Sequence, residues 1–137
     1  MSDCFRVFVR GVPQPQGSKR AFIKGGRAVI TEANPRSRPW REMLRTAISE
    51  QWNGPPWDGA VELTMTFCFV RPTTGAGKKR PWPSVRPDAA KLQRTVEDAL
   101  QLAGALTEDS RIVSWCGQKV YRGEPGVEIE LRKLYEG

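Results

Sequence analysis

Residues 61–70 carry the strongest β-strand pattern in the sequence and constrain the fold most. Apolar side chains occupy every second position of this segment, as in a strand that buries one face: Val61, Leu63, Met65, Phe67 and Phe69. The segments before and after it have a helical period instead. A strand between two amphipathic helices predicts a mixed α/β domain in which both helices pack on a sheet.

Two segments have the apolar spacing of amphipathic helices. The first helix is predicted to begin at Ser37 and to end before the turn Asn53-Gly54-Pro55-Pro56. Its apolar face consists of Trp40, Leu44, Ala47 and Ile48. The second is predicted to begin after the N-cap residue Asp88 and to end at about Ala103, before Gly104. Its apolar face consists of Leu92, Val96, Ala99, Leu100 and Ala103.

Short alternating segments predict five further strands: residues 5–10, 21–24, 27–31, 112–121 and 127–134. Gly25-Gly26 favours a hairpin turn, and we expect the last two strands to form a hairpin as well. The predicted order is βββ-α-β-α-ββ. We therefore expect an α/β (α+β) fold in which residues 1–137 form a single domain, with two helices on one mixed sheet of about six short strands. Residues 71–87, with four prolines and two glycines, are expected to form a flexible basic loop.

The chain has 137 residues and no histidine, and its 22 Lys and Arg against 15 Asp and Glu give a net charge of +7. The absence of histidine excludes Ser-His-Asp triads, Cys-His nucleophiles and HExxH zinc sites. It leaves carboxylate, lysine, tyrosine or metal-assisted chemistry. The basic residues are concentrated in segments 5–45 and 71–86, which favours a polyanionic partner. Since no apolar run approaches the roughly 18 to 20 residues of a membrane span, and no signal-peptide pattern is present, we expect a cytoplasmic location without membrane contact.

Two aspartates are the candidate catalytic residues. Asp88 lies at the predicted start of the second helix, and Asp109 follows Glu108 in the turn before the next strand. Aspartates at a helix start and a neighbouring strand can converge, and clustered carboxylates repel each other unless they share a cation. Mg²⁺ prefers such oxygen ligands and orients water at a scissile phosphate. The alternative is that Asp88 only caps the helix and that Glu108 and Asp109 lie in a solvated turn.

Two neighbouring motifs resemble the signature of the RusA family of Holliday junction resolvases. The family's first motif reads basic residue, Pro, Asp, any residue, Asp, Asn, Leu, any residue, Lys; its second is an Asp-Asp pair that enters a strand. In this chain they read Arg86-Pro87-Asp88-Ala89-Ala90-Lys91-Leu92-Gln93-Arg94 and Leu106-Thr107-Glu108-Asp109-Ser110-Arg111-Ile112-Val113. The order of the elements agrees over nearly the whole chain.

The resemblance implies a homodimeric endodeoxyribonuclease that resolves four-way DNA junctions by paired nicks, with Mg²⁺, or Mn²⁺ in its place, and no small-molecule cofactor. It implies a metal-binding acidic triad of Asp88, position 90 and Asp109 in each subunit. Arg94, in place of the family's Lys, is the further catalytic candidate. The chain departs from the pattern at Ala90, which replaces an Asp and cannot bind a metal, and at Lys91, which replaces an Asn.

Ala90 leaves several interpretations of the function open. In the first interpretation, the chain is a nuclease of this family that is inactivated or strongly impaired, either by engineering or as a naturally degenerate member. Alternatively it is a non-catalytic protein that binds junctions or single-stranded nucleic acid. A structural interaction protein that is basic by accident is the third interpretation. The resemblance to phage-type members favours a phage-encoded protein of a bacterial host cell.

Basic residues around the first motif and in two turns are the predicted DNA contacts: Lys19, Arg20, Lys78, Lys79, Arg80, Arg86, Lys91 and Arg94. Phosphate contacts from such residues dominate affinity for nucleic acid and weaken as salt rises. The run Lys78-Lys79-Arg80 also fits an ordinary solvated loop, and Arg94 also fits an ion pair with Asp98 one helical turn away. Trp82, inside the basic loop, is the candidate for stacking on a base.

Overall fold

The computed structural model describes residues 3–17, 19–32 and 34–135, and for residues 19, 20, 31 and 32 it describes the backbone alone. The described residues form six strands and two helices in the predicted order: β1 (Cys4–Arg10), β2 (Lys19–Lys24), β3 (Arg27–Glu32), α1 (Ser37–Gln51), β4 (Val61–Phe69), α2 (Ala89–Leu102), β5 (Ile112–Tyr121) and β6 (Gly126–Lys133). The α+β class and the order βββ-α-β-α-ββ are confirmed. Within these residues, no helix is both long and apolar enough to cross a membrane.

The strands divide between two sheets, where the sequence predicted one. β1, β6, β4 and β5 form a four-stranded sheet in that order, and β2 pairs with β3 in a separate hairpin. β6 is antiparallel to both β1 and β4, whereas β5 is parallel to β4. The predicted hairpin between the last two strands is therefore wrong, because β4 lies between them.

Burial explains the positions of the last two strands. In β6 the alternate residues Val127, Ile129 and Leu131 are fully buried, which suits a central strand. In β5, by contrast, Val113 and Trp115 are 56% and 60% exposed, and this strand forms the edge of the sheet. A parallel pair needs a long crossover connection, and the basic loop (71–87) together with α2 provides it between β4 and β5.

Both helices pack on one face of the four-stranded sheet. The core between them and the sheet consists of apolar residues from β4, β6 and both helices, among them Leu44, Ile48, Leu63, Met65, Leu92, Val96, Leu100 and Ile129. The predicted apolar faces of α1 and α2 therefore do face the core. A 3₁₀ turn at Asp109–Arg111 then leads from α2 into β5.

Two arginines of the N-terminal segment form ion pairs with acidic side chains. Arg6 pairs with Glu130 of the neighbouring strand β6 at 3.2 Å. Arg10, at the end of β1, pairs with Glu124 at 2.9 Å. The side chains of both arginines are largely exposed, so each pair adds little stability, but each arginine is neutralised locally. The basic surplus of the first half is therefore smaller at the surface than the residue count indicates.

Candidate functional site

The connection from β4 to β5 fixes the position of the predicted catalytic residues. β4 and β5 are parallel, and α2 connects them in sequence. The helix therefore begins near the C-terminal ends of both strands and runs antiparallel to them. Asp88 caps α2 as predicted: its Oδ1 accepts a hydrogen bond of 2.9 Å from the backbone N–H of Ala90. Both residues are exposed, so the start of α2 is accessible from solvent.

Two grooves flank the start of α2. The larger, of about 770 Å³, lies between Asp88 and the segment 12–15, and the exposed cations Arg86 and Lys91 line it as well. The second, of about 440 Å³, lies over β5, and its lining includes Ala90, Gln93, Trp115 and Lys119. The two positions of the first acidic motif thus lie between two grooves.

Lys119 of β5 binds the segment that precedes Asp88. Its Nζ donates hydrogen bonds of 2.7 Å to the carbonyl oxygen of Val85 and 2.9 Å to that of Pro87. Sequence reasoning missed this role of Lys119. No local pattern in the sequence indicates it, because only the pairing of β5 with β4 places Lys119 opposite buried Phe67, on the face of the sheet that bears the helices. A lysine is unusual at such a position.

Tyr121 anchors the basic loop to the end of β5. The Arg71 guanidinium lies 4.5 Å from the centre of the Tyr121 ring and donates a hydrogen bond to the carbonyl oxygen of Arg80. Nη1 of Arg80 lies 3.4 Å from the Tyr121 hydroxyl. Of the predicted DNA contacts in this loop, Arg80 is thus engaged by its own chain. Lys78 and Lys79 are exposed and form no ion pair with a described residue.

On α2, the predicted DNA contacts Lys91 and Arg94 are both exposed. The alternative ion pair between Arg94 and Asp98 does not form; Asp98 instead accepts a hydrogen bond of 2.9 Å from Nε2 of Gln16. The backbone N–H of Gln16 also donates to the carbonyl oxygen of Lys91 at 3.0 Å, so the turn after β1 rests on α2. Two further predicted contacts have side chains outside the described residues: Lys19 and Arg20.

Asp109 lies at the opposite end of α2, in the 3₁₀ turn before β5. Its backbone N–H donates a hydrogen bond of 3.1 Å to Oε1 of Gln101, in the last turn of α2. Asp58 braces this turn, because its Oδ1 accepts hydrogen bonds of 2.6 Å from Oγ1 of Thr107 and 3.0 Å from Nη2 of Arg111. The hydrogen bond from the Thr107 hydroxyl is the largest cause that lowers the pKa of Asp58, and Arg111 lowers it further. Sequence reasoning missed Asp58, since these partners lie 49 and 53 residues away.

The structure does not bring Asp88 and Asp109 together within one chain. Asp88 precedes the first turn of α2 and Asp109 is bonded to its last turn, and a helix of 14 residues is about 21 Å long. The expected convergence of Asp88 and Asp109 is not found. In a parallel crossover the helix runs antiparallel to the strands, so its two ends lie at opposite ends of those strands.

The donor set of one chain therefore does not fit Mg²⁺. Across residues 3–17, 19–32 and 34–135, no group of three or more His, Cys, Asp or Glu side chains is arranged to bind a metal ion. The position of the second aspartate in the first motif holds the methyl group of Ala90, which offers no ligand atom. The described residues of one chain therefore do not form the metal-binding triad.

Comparison with known proteins identifies the family of this chain. Residues 10–132 match the family model described as Endodeoxyribonuclease RusA. The chain is also similar to the uncharacterized protein YqaN of Bacillus subtilis (strain 168), with 23% identity over 141 residues that cover 96% of this chain and 98% of YqaN. The family match includes both acidic motifs and most of the four-stranded sheet.

Proposed function

Because the chain belongs to the RusA family of endodeoxyribonucleases, we propose that it binds branched DNA at the start of α2 and that Ala90 abolishes or strongly reduces cleavage. The observation that carries this proposal is the exposed start of α2, where Asp88 and position 90 lie between two grooves. The cleavage that Ala90 abolishes or reduces is the resolution of a Holliday junction by paired nicks.

Exposed cations near this helix start provide the DNA-binding surface. Arg86 and Lys91 line the larger groove beside Asp88. Lys78 and Lys79 extend the positive surface along the basic loop. Each phosphate contact made by such a side chain releases counterions, so affinity for DNA falls steeply as salt rises. Trp82, 57% exposed in the same loop, adds a surface on which an unpaired base can stack.

The carboxylate of Asp88 is the acidic group that the start of α2 presents to this surface. The methyl group of Ala90, two residues later, can neither bind a cation nor accept a proton. The family's requirement for Mg²⁺, or for Mn²⁺ in its place, is part of the proposal and calls for a further carboxylate at position 90. One chain with Ala90 therefore lacks a complete catalytic set, although its DNA-binding surface is intact.

Gel-shift titration tests the binding step without cleavage. A four-way junction, a duplex and a single strand of equal length are compared in Ca²⁺ and in EDTA. We expect the junction to bind more tightly than either competitor and its affinity to fall as NaCl increases. Equal affinity for junction and duplex would contradict structure-selective binding.

Restoring the missing carboxylate tests the cleavage step. Ala90→Asp should nick a four-way junction in Mg²⁺ or Mn²⁺. Ala90→Asn has nearly the same size without the charge, and it should stay inactive. If Ala90→Asp binds junctions but does not nick them, the chain is a non-catalytic junction-binding protein. This is the alternative function that Ala90 leaves open.

A further inference from the structure

A small pocket lies between the basic loop and the ends of β4 and β5, beside the larger groove at the start of α2. We call it the loop pocket. Resting on the proposed function, we propose that this pocket binds one unpaired pyrimidine base of the DNA strand that lies in the groove. The volume of the pocket is about 150 Å³, and its lining includes Phe69, Pro83, Val85, Pro87, Lys119 and Tyr121.

The volume of the loop pocket suits a single six-membered ring. A cavity of about 150 Å³ holds one molecule of the size of benzene. A pyrimidine base consists of one such ring, whereas a purine base has a second ring fused to it. Because an extruded base is read in a closely fitting pocket, the loop pocket should accept thymine or cytosine and reject adenine and guanine.

The walls of the loop pocket are largely apolar. Phe69, Pro83 and Val85 provide carbon surface for the faces of a planar ring. Arg71 lies over the Tyr121 ring but does not line the pocket, so another part of that ring remains available to a ligand. Apolar walls with a few well-placed polar groups are the usual composition of a site for a small ligand.

Two hydrogen-bond donors of the loop pocket suit the carbonyl oxygen of a pyrimidine. The Lys119 ammonium group has three N–H donors, and described residues accept two of them, through the carbonyl oxygens of Val85 and Pro87. Nη1 of Arg80 donates to the Tyr121 hydroxyl, which keeps its own proton for a further acceptor. Both pyrimidine bases of DNA carry a carbonyl oxygen on the ring and can therefore accept from these groups.

The loop pocket and the larger groove share part of their lining. Phe69, Arg86 and Pro87 line both. The groove is also lined by Asp88 and Lys91. A DNA strand whose phosphates lie along Arg86 and Lys91 therefore passes beside the loop pocket and can place one base in it.

A base that enters the loop pocket must first leave its stack in the DNA. The free-energy cost of this step is least where the base is already unpaired. The branch point of a junction interrupts the base stack, whereas a continuous duplex does not. Phosphate contacts position the DNA but do not distinguish its bases. The pocket thus adds a selection for branched DNA that the cations of the groove do not provide.

Junctions with one extra base test the loop pocket without nuclease activity. Three four-way junctions are compared by gel shift in EDTA: one is fully paired, one has an unpaired thymine at the branch point, and one has an unpaired adenine there. We expect the thymine junction to bind several-fold more tightly than the other two, because its base is free to enter the pocket. Equal affinity for the thymine and adenine junctions would overturn the proposal.

Val85→Phe places a ring of the protein itself in the loop pocket. Val85 lines the pocket and is 48% exposed. The variant should lose the preference for the thymine junction. The matched control is Val113→Phe, because Val113 is 56% exposed on β5 and does not line the pocket. The control should keep the preference. A Val85→Phe variant that still prefers the thymine junction would overturn the proposal.

Free nucleotides test the loop pocket in the unmodified protein. Isothermal titration calorimetry compares thymidine monophosphate with deoxyadenosine monophosphate, which carry the same sugar and phosphate. We expect the thymidine nucleotide to bind several-fold more tightly. Equal binding of the two nucleotides, or binding of neither, would overturn the pocket. Preferential thymidine binding by a protein that has equal affinity for junction and duplex would instead reject the proposed function alone.

Discussion

Nζ of Lys119 lies 2.9 Å from the carbonyl oxygen of Pro87, and so connects β5 directly to the residue that precedes Asp88. A second hydrogen bond of 2.7 Å reaches the carbonyl oxygen of Val85. An ammonium group has three donors and no acceptor, so a protonated lysine can hold both carbonyls at once. The position of Asp88 is therefore set by β5 as well as by its own cap on α2.

Lys119→Met should loosen this segment while preserving the length of the side chain. Two carbonyl groups lose a charged donor, which should lower the free energy of unfolding by about 1–3 kcal/mol and weaken junction binding. Urea unfolding and gel-shift titration measure the two effects. Lys24→Met is the control, because Lys24 is exposed on the β2–β3 hairpin. Equal behaviour of the two variants would refute the role of Lys119.

Tyr121→Ala should release the basic loop from the end of β5. The substitution removes the ring that lies under Arg71 and the hydroxyl near Arg80. We expect trypsin to cleave after Lys78 and Lys79 faster than in the unmodified protein, since local opening controls such cleavage. Tyr121→Phe keeps the ring and should resist trypsin nearly as well as the unmodified protein. If Tyr121→Ala is no more sensitive, another contact holds the loop.

The helices and most strands were predictable because their signals are local. Leu92, Val96 and Leu100 recur at helical spacing, and all three are fully buried as that spacing indicates. Asp88 precedes the apolar positions as an N-cap residue should, and it does cap α2. Each of these signals lies within a short stretch of sequence, so no knowledge of the tertiary structure is needed.

The arrangement of the site was not predictable in the same way, because it depends on contacts between distant residues. The last two strands are neighbours in sequence, but the buried side chains of β6 suit the centre of the sheet and the exposed ones of β5 suit its edge. Once β5 is parallel to β4, Asp88 and Asp109 fall at opposite ends of α2. The bonds of Lys119 to Val85 and of Asp58 to Thr107 follow from the same tertiary placement.

Leu100→Ala should destabilise the protein far more than Leu102→Ala. Leu100 is fully buried between α2 and the sheet, whereas Leu102 in the same helix is 57% exposed. The buried change leaves a cavity, and we expect a loss of about 2–5 kcal/mol in the free energy of unfolding. The exposed change should stay within about 0.5 kcal/mol. Similar urea midpoints for the two variants would mean that α2 does not pack as described.

Asp58→Asn should remove part of the acid sensitivity of the fold. The hydroxyl of Thr107 and the guanidinium of Arg111 lower the pKa of Asp58 in the folded state. The stability that this carboxylate adds is therefore present above its unfolded pKa and is lost as the pH falls through the folded one. The stability difference between the parent and Asp58→Asn should be constant near pH 7 and shrink below about pH 4.

Urea unfolding between pH 7 and pH 3 measures this difference for Asp58. The effect should be small, since the Asp58 side chain is 71% exposed and screened by solvent. Thr107→Val removes the largest single cause of the lowered pKa and should reproduce part of the pH dependence of Asp58→Asn. A stability difference that does not change with pH would show that the brace does not stabilise the turn of Asp109.

Replacing Lys78 and Lys79 together by Gln should weaken junction binding and make it less sensitive to salt. Both side chains are exposed and form no ion pair with a described residue, so both are available to phosphates. Each lost phosphate contact should reduce the slope of log affinity against log salt by about 0.9. Arg6→Gln is the control, because Arg6 is paired with Glu130. An unchanged salt slope in the double variant would exclude the basic loop from the DNA interface.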